Sequence, residues 1–510
     1  MNSNKILLLV ITLLYSFASI AQSVIITPIT IKSVQQQFKE HTLTSEQLVK
    51  YYLARINKYN DNGIKLNAVV QLNKNALKQA KELDNYYLKH GLKGILHGIP
   101  VLLKDNIDTI DGMANTAGSI ALQHNYPKQD SFLVKKLKQA GAIILGKTNL
   151  TEWANFRSTH ASSGWSGLYG QTKNPHNLTT SPCGSSAGSG AAIAANLALL
   201  AIGTETDGSI TCPASINGIV GIKPTLGTIS RQGIIPIAHS QDTAGPMTRT
   251  VTDAVIMLTA MVAADPKDKQ AITSKINYQS HLKINGLQGK RIGIVRNLSG
   301  YLPQVDQLLE QAIIDLKKQG AVIIDNANIE TLGDWDDAEY QVLLYEFKND
   351  LNDYLATTAK GVPKSLAELI QFNKAHSQQE MPYFNQEIFE LAQQKSSLND
   401  KRYLTALHKA KSSAQKGIDD LLKKHHLDLL IAPTAQPAWK IDWVSGDHYL
   451  GSATSPAAVS GYPHITVPMG SIQDLPVGLS FFGTKLSEDL LIEAAYSYEQ
   501  ATQRIITPRL

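Results

Sequence analysis

The segment from Cys183 to Ile210 constrains this chain more than any other. It opens Cys183-Gly184-Ser185-Ser186-Ala187-Gly188-Ser189-Gly190, continues as a small, apolar run from Ala191 to Leu200, and closes on Ile202-Gly203-Thr204-Glu205-Thr206-Asp207-Gly208-Ser209-Ile210. Two Gly/Ser-rich turns thus bracket one helix-then-strand unit, and Ser185 and Ser209 lie 24 positions apart. Neither turn contains an ordinary base. A serine hydroxyl is a weak nucleophile until something takes its proton, so the fold has to bring a base from elsewhere. Upstream, Leu96-His97-Gly98-Ile99-Pro100-Val101-Leu102-Leu103-Lys104-Asp105-Asn106 is a short apolar run ending in a lysine. A buried strand delivers one polar group into a site in this way.

The rest of the chain alternates around that unit. Thr44-Ser45-Glu46-Gln47 reads as a capping box, followed by Val49, Tyr52, Leu53 and Ile56 at helical spacing. A second helix is predicted from Asn73 to Leu88, with Gly91 just past its end. From His97, strands at 99–103, 142–145 and 199–203 alternate with helices at 149–155 and 186–197 and with one capped by Asp130 and running to Gln139. Such alternation predicts an α/β architecture with helices covering a sheet. Residues 264–288 are polar and linker-like. The strand pattern restarts at Arg291–Val295, a helix follows over 305–318, and Trp335 to Leu422 reads mostly as helix. Strands at 429–434, 465–467 and 477–482 close the chain.

Composition enters where it removes alternatives. At 510 residues, 43% hydrophobic and 18% charged, the chain suits a soluble enzyme with a large core. A net charge of +5 is a weak bias at this length, and no basic run or aromatic–basic interleaving points to nucleic acid. Lys5, the apolar run Ile6–Tyr15 and the small residues Ser19 and Ala21 read as a secretory signal peptide over 1–21, leaving 22–510 as an exported protein, periplasmic or secreted. The run is short for a membrane span of ~20 residues, so no stable anchor is expected after cleavage. Cys183 and Cys212 are the only cysteines. One bridge is no disulfide framework, and the reading favours two small buried thiols, with a bond left open by export.

Lys104, Ser185 and Ser209, with their segments, resemble the amidase signature family. Its catalytic set is a lysine, a serine after a cis peptide bond and a nucleophilic serine. Lys104 matches the lysine ending the apolar strand before Asp105-Asn106, Ser185 the first serine of the Gly-Ser-Ser turn, and Ser209 that of the Gly-Ser-Ile turn. Further landmarks are Gly146-Lys147-Thr148-Asn149, Asn217 to Thr225, Asp242 to Met247, Ser460 to Pro468 and Pro476-Val477-Gly478-Leu479, so the likeness runs over residues 33–505. It implies a large mixed β-sheet core covered by helices on both sides, with a catalytic core over 33–265 and 428–505 and a mainly helical, substrate-shaping portion over 291–427. It also implies acyl transfer from an amide to Ser209 and then to water, with neither metal nor cofactor. Lys104 would act as base through Ser185, burial lowering its free pKa of ~10.4. The Gly184–Ser185 bond would be cis, and backbone N–H groups of Thr206, Asp207, Gly208 and Ser209 would hold the oxyanion.

Within that family the likeness is strongest to bacterial peptide amidases, which release ammonia from peptide C-terminal amides. The matching stretches include Leu150 to Arg157, Ser181 to Ser186, Leu344 to Lys348 and Phe372 to Ser377. The expected partner is therefore a peptide or small-molecule amide. Ala187 departs from the family's usual glycine, and Cys183 precedes Gly184 where the general pattern has Gly-Gly.

Simpler readings stand beside these. A phosphate-binding loop needs a lysine that the Ser185 turn lacks. Ser186 either contacts the substrate carboxamide or caps the following helix. His97 and His239 have no setting that pairs them with Ser209, and His425-His426 has no third ligand at metal-site spacing. Glu152, Trp153 and Arg157 either line the pocket mouth or, more simply, form one face of a helix. Alternatives at the level of function are an amidase for aryl, aliphatic or fatty-acyl amides, and a non-catalytic binding protein on the same fold. A glutamine-hydrolysing tRNA amidotransferase subunit fits poorly with export.

Overall fold

The computed structural model describes residues 29–510, so the signal-peptide reading lies outside the described residues. Thirteen strands occur among them: β1 Val69–Leu72, β2 Pro100–Lys104, β3 Ile143–Thr148, β4 Trp165–Ser166, β5 Gly170–Gln171, β6 Leu200–Glu205, β7 Val220–Lys223, β8 Thr243–Thr248, β9 Arg291–Ile294, β10 Val322–Ile324, β11 Leu429–Pro433, β12 His464–Ile472 and β13 Leu475–Phe482. Strands β4 and β5 pair with each other, and the other eleven form one sheet in the order β1-β3-β2-β6-β8-β7-β12-β13-β11-β9-β10. The sheet is mixed. Strand β2 runs parallel to β3 and β6, and β9 parallel to β10 and β11, whereas β6, β8, β7, β12, β13 and β11 pair antiparallel in turn.

Every residue of β2, β3, β6, β7, β8 and β11 is buried. Strands buried throughout need cover on both faces. That is why β2, up to Lys104, and β11 are continuous apolar runs rather than alternating ones. The chain from 291 returns to this sheet through β9, β10 and β11, and residues 336–393 build a second core. There Leu344, Phe347, Leu351, Leu366, Leu369 and Phe389 pack with Trp153, Phe156 and Ile237 from the loops at the sheet's edge.

Several helix ends follow their side chains closely. Thr44 and Gln47 form the reciprocal cap of Ser45–Arg55, and Gly91, at φ 75°, ends Ala76–His90. The cap of Phe132–Gln139 is Ser131, not Asp130, which instead takes the ammonium of Lys138 and the N–H of Ile110. The predicted helix over 149–155 is not formed. Trp153 and Ala154 adopt left-handed backbone at φ 50° and 55°, leaving only a short turn at Glu152–Asn155. The helix after Ser185 is shorter than predicted, Ala187–Ala194, and wholly buried. Glycines at 188 and 190 weaken it intrinsically, and close packing compensates. A Cβ on Gly188 would strike the backbone oxygens of Ala68 and Asn149.

Candidate active site

Because β2 and β6 are parallel neighbours, their carboxyl ends open on the same edge of the sheet, where α/β proteins place their sites. Lys104 is the last residue of β2 and is fully buried. Its Nζ donates to Ser185 Oγ at 2.7 Å, to Thr204 Oγ1 at 2.9 Å and to the Thr204 carbonyl at 3.2 Å. Burial lowers its pKa to about 7, against the opposing pull of Asp242 and Glu205. Lys147, one strand away on β3, shows the contrast. It is equally buried, but it pairs with Asp105 at 3.3 Å and donates to the Ile107 carbonyl and Asn115. Lys104 has no carboxylate within ion-pair distance among the described residues, so no adjacent anion offsets its burial as Asp105 does for Lys147.

Ser185 is fully buried and follows a cis peptide bond from Gly184. Ser209 follows β6 in the turn Thr206-Asp207-Gly208, where Gly208 takes φ 74°. The helix Thr211–Ile216 is anchored by Glu205, whose Oε2 accepts the N–H groups of Ile210 and Thr211 at 2.8 and 2.9 Å. The N–H groups just before them, at 206–209, enter no turn, cap or side-chain hydrogen bond among the described residues. The Ser209 hydroxyl likewise has no hydrogen-bonded partner there. It opens onto a cavity of about 600 Å³, with Asp207, Gly208, Cys183 and Gly184 in the same wall.

Two expectations need correction. Cys183 and Cys212 are bonded, with Cα atoms 6.1 Å apart, and are not a pair of buried thiols. The bridge ties the Ser185 turn to the first turn of the helix after Ser209. Ser186 stands at the N-cap position, but its side chain makes no capping hydrogen bond. Its hydroxyl donates to the Thr204 carbonyl at 3.1 Å and accepts the Thr204 N–H at 3.2 Å, and the side chain lies behind the cavity wall rather than in it.

The walls contain residues that sequence reasoning did not single out. Asn155, Phe156 and Ser163 come from the irregular stretch after β3, and Trp439, Asp447, Tyr449, Thr454 and Ser455 from the loop between β11 and β12. Asp207 accepts Thr454 Oγ1 at 2.6 Å, and burial pushes its pKa up, as it does for Glu339 nearby. A second cavity, of about 700 Å³, shares Ala154, Thr206 and Ile237 with the first and reaches Ser185, Thr204 and Asn106.

Glu152 and Arg157 neither line the cavity nor share a helix face. Both are fully buried, 2.9 Å apart, and Arg157 also donates to the carbonyls of Phe384 and Asn385. This clamp holds the helical layer onto the loop that carries Asn155. His239 pairs with Asp350 at 2.8 Å and lies 3.4 Å from Glu346, away from Ser209's cavity.

The chain that carries this arrangement, a buried lysine on one serine with a second serine facing a cavity, matches known proteins over nearly its whole length. The Amidase family matches residues 47–492, and the chain belongs to this, the amidase signature, family. It is an amidase and a serine hydrolase of that fold. A probable amidase of Arabidopsis thaliana is 42% identical over 487 residues, covering 93% of this chain and 90% of the relative. Among solved structures, the native peptide amidase of Stenotrophomonas maltophilia superposes with a TM-score of 0.91 at 47% identity, covering 95% of this chain and 99% of that one. The peptide amidase PAM bound to the competitive inhibitor chymostatin gives 0.92 at 47% identity, with the same coverage.

Proposed function

We propose that the protein hydrolyses the C-terminal amide of peptides to the free acid and ammonia, with Ser209 as nucleophile, Ser185 as relay and Lys104 as base. The observation that carries this reading is the 2.7 Å hydrogen bond from fully buried Lys104 to Ser185, with the Ser209 hydroxyl unpaired at a cavity. Neutral Lys104 takes the Ser185 proton as Ser185 takes that of Ser209. Ser209 Oγ then bonds to the amide carbon, and the negative oxygen is held by N–H groups of 206–209. Removing one such donor typically costs ~10²–10³ in rate. The relay run backwards protonates the leaving nitrogen, the C–N bond breaks, and ammonia departs. Water, deprotonated by the same chain, hydrolyses the ester to acid and free Ser209.

The peptide substrate is supported by similarity to peptide amidases along the full length, and by an open cavity large enough for a short peptide end. The leader-like residues 1–21 support export as the setting for this activity. The test is incubation of the mature protein with a short amidated peptide, reading ammonia by coupled assay and the product by mass. Release of one ammonia per peptide, with the chain intact and one acid gained, is the expected result. Cleavage of aryl or fatty-acyl amides but not of any peptide amide would overturn the substrate assignment.

A further inference from the structure

The cavity beside Ser209 has a charge that the rest of the chain does not. The protein carries a net +5, yet the only charged side chains lining this cavity, among the described residues, are Asp207 and Asp447. A third carboxylate, Glu387, sits just behind the wall, accepting Ser158 Oγ and the Thr159 N–H at 2.7 Å each. No lysine or arginine lines the cavity among the described residues.

Asp447, unlike Glu387, lines the cavity itself. It is half-buried on the loop between β11 and β12. Three donors fix it: the N–H of Ser163 at 3.0 Å and Nε1 of Trp439 at 2.9 Å to Oδ1, and the Ser163 hydroxyl to Oδ2. All are donors, so the carboxylate is held as an acceptor with lone pairs to spare. Ser163 in turn sits against Gly184, its Oγ 3.2 Å from where a Cβ would stand. Asp447 is therefore one side chain removed from the peptide bond that carries Ser185. Trp439 and Tyr449, with ring centroids 5.7 Å apart, flank it. An oriented carboxylate with aromatic faces beside it is the chemistry that recognises an ammonium or guanidinium.

We propose that Asp447 is a specificity residue that binds a cationic group of the substrate, so that the enzyme prefers positively charged peptide amides over neutral ones and disfavours acidic ones. This rests on the peptide-amide reading above. The cation is either the free N-terminal ammonium of a short peptide or a basic side chain. The same field repels the carboxylate that hydrolysis creates next to Asp207, which favours release of the acid product.

The test is a matched series of dipeptide amides: Ala-Phe-amide with a free amino terminus, its N-acetyl form, N-acetyl-Lys-Phe-amide and N-acetyl-Glu-Phe-amide. Wild-type kcat/KM should favour at least one cationic member over the neutral N-acetyl-Ala peptide by about tenfold, the effect of a single charge-assisted hydrogen bond. Which cationic member wins identifies the source of the charge. The N-acetyl-Glu peptide should be slowest. In Asp447→Asn the cationic-to-neutral ratio should fall towards one through KM, whatever the absolute rate, and Asp447→Glu should restore it. Should the variants not fold, the wild-type ratio and its decline with added salt decide alone. Equal turnover of cationic and neutral members by the wild type, or a ratio unchanged in Asp447→Asn, would overturn the proposal while leaving the peptide-amide reading intact. No ammonia from any member would overturn both.

Discussion

Replacing Lys104 with methionine separates its cost to the fold from its use in the reaction. The lysine is buried without a carboxylate partner, and its pKa falls from 10.5 to about 7. At ~1.36 kcal/mol per pH unit, that displacement is ~5 kcal/mol against the protonated form. The direction follows from proton counting. Between pH 7 and 10.5 the unfolded chain binds a proton at this position that the folded chain does not, so stability rises with pH across that window. Below pH 7 the penalty is present in full, and above 10.5 it is gone. Methionine fills the same volume and carries no such penalty. It also removes the donor to Ser185 Oγ, while Thr204 Oγ1 keeps Asn106 at 3.0 Å and the Thr204 carbonyl keeps Ser186. The orphaned acceptor costs ~1–3 kcal/mol. The net expectation is a Lys104→Met variant ~2–4 kcal/mol more stable than wild type at pH 6, with the advantage gone by pH 10. Its turnover should fall by ~10²–10⁴, the usual worth of a general base. Urea unfolding of both proteins at the two pH values, with ammonia release measured alongside, makes the comparison. A stability difference that does not change with pH would refute the low-pKa assignment, and undiminished turnover would refute the base role.

Wild-type kcat/KM should rise with pH along a single-proton limb centred near pH 7, losing about tenfold per unit on the acid side; a pH-rate profile flat from 5 to 8 would contradict it. Ser209→Ala should keep the thermal midpoint of the wild type and lose labelling by a serine-directed fluorophosphonate together with turnover. The double variant Cys183→Ala/Cys212→Ala opens a loop with a sequence separation of 29, which should lower stability by ~3.5 kcal/mol and, because the bridge joins the two serine turns, reduce activity in the folded fraction; dithiothreitol should act in the same direction on the wild type. Arg157→Leu strands Glu152 and Glu380, whose pKa values burial already raises. It should cost ~3–5 kcal/mol near neutral pH, and the deficit should shrink on acidification as the two carboxyls protonate, read from thermal midpoints at pH 5 and 8.

How much of this was legible in the sequence depended on whether the information was local. The strand ending in Lys104 and the two serine turns each announce themselves by composition, and parallel pairing of β2 with β6 then brings the lysine and Thr204 together at one edge. Long-range choices were not written locally. Ser131 and Asp130 are both good caps, and only the pull of Lys138 and the Ile110 N–H on Asp130 decides between them. The residues from Leu150 to Arg157 have helical composition, yet burial of Glu152 against Arg157 is bought by left-handed backbone at Trp153, Ala154 and Asn155, and no periodicity foretells that. The same holds for the cysteines, whose spacing fits a bridge or two thiols equally until the turns are placed. Asp447 is the clearest case. It stands in an aperiodic loop, far in sequence from Ser163 and Gly184, and acquires meaning only when the β11–β12 connection closes over the serine turns. The proposed catalytic groups sit on strand ends and tight turns, whose residue types are forced by geometry. The group proposed to choose the substrate sits on the loop above them, where nearly any residue type folds, so the proposed chemistry could be read from this chain well before its specificity.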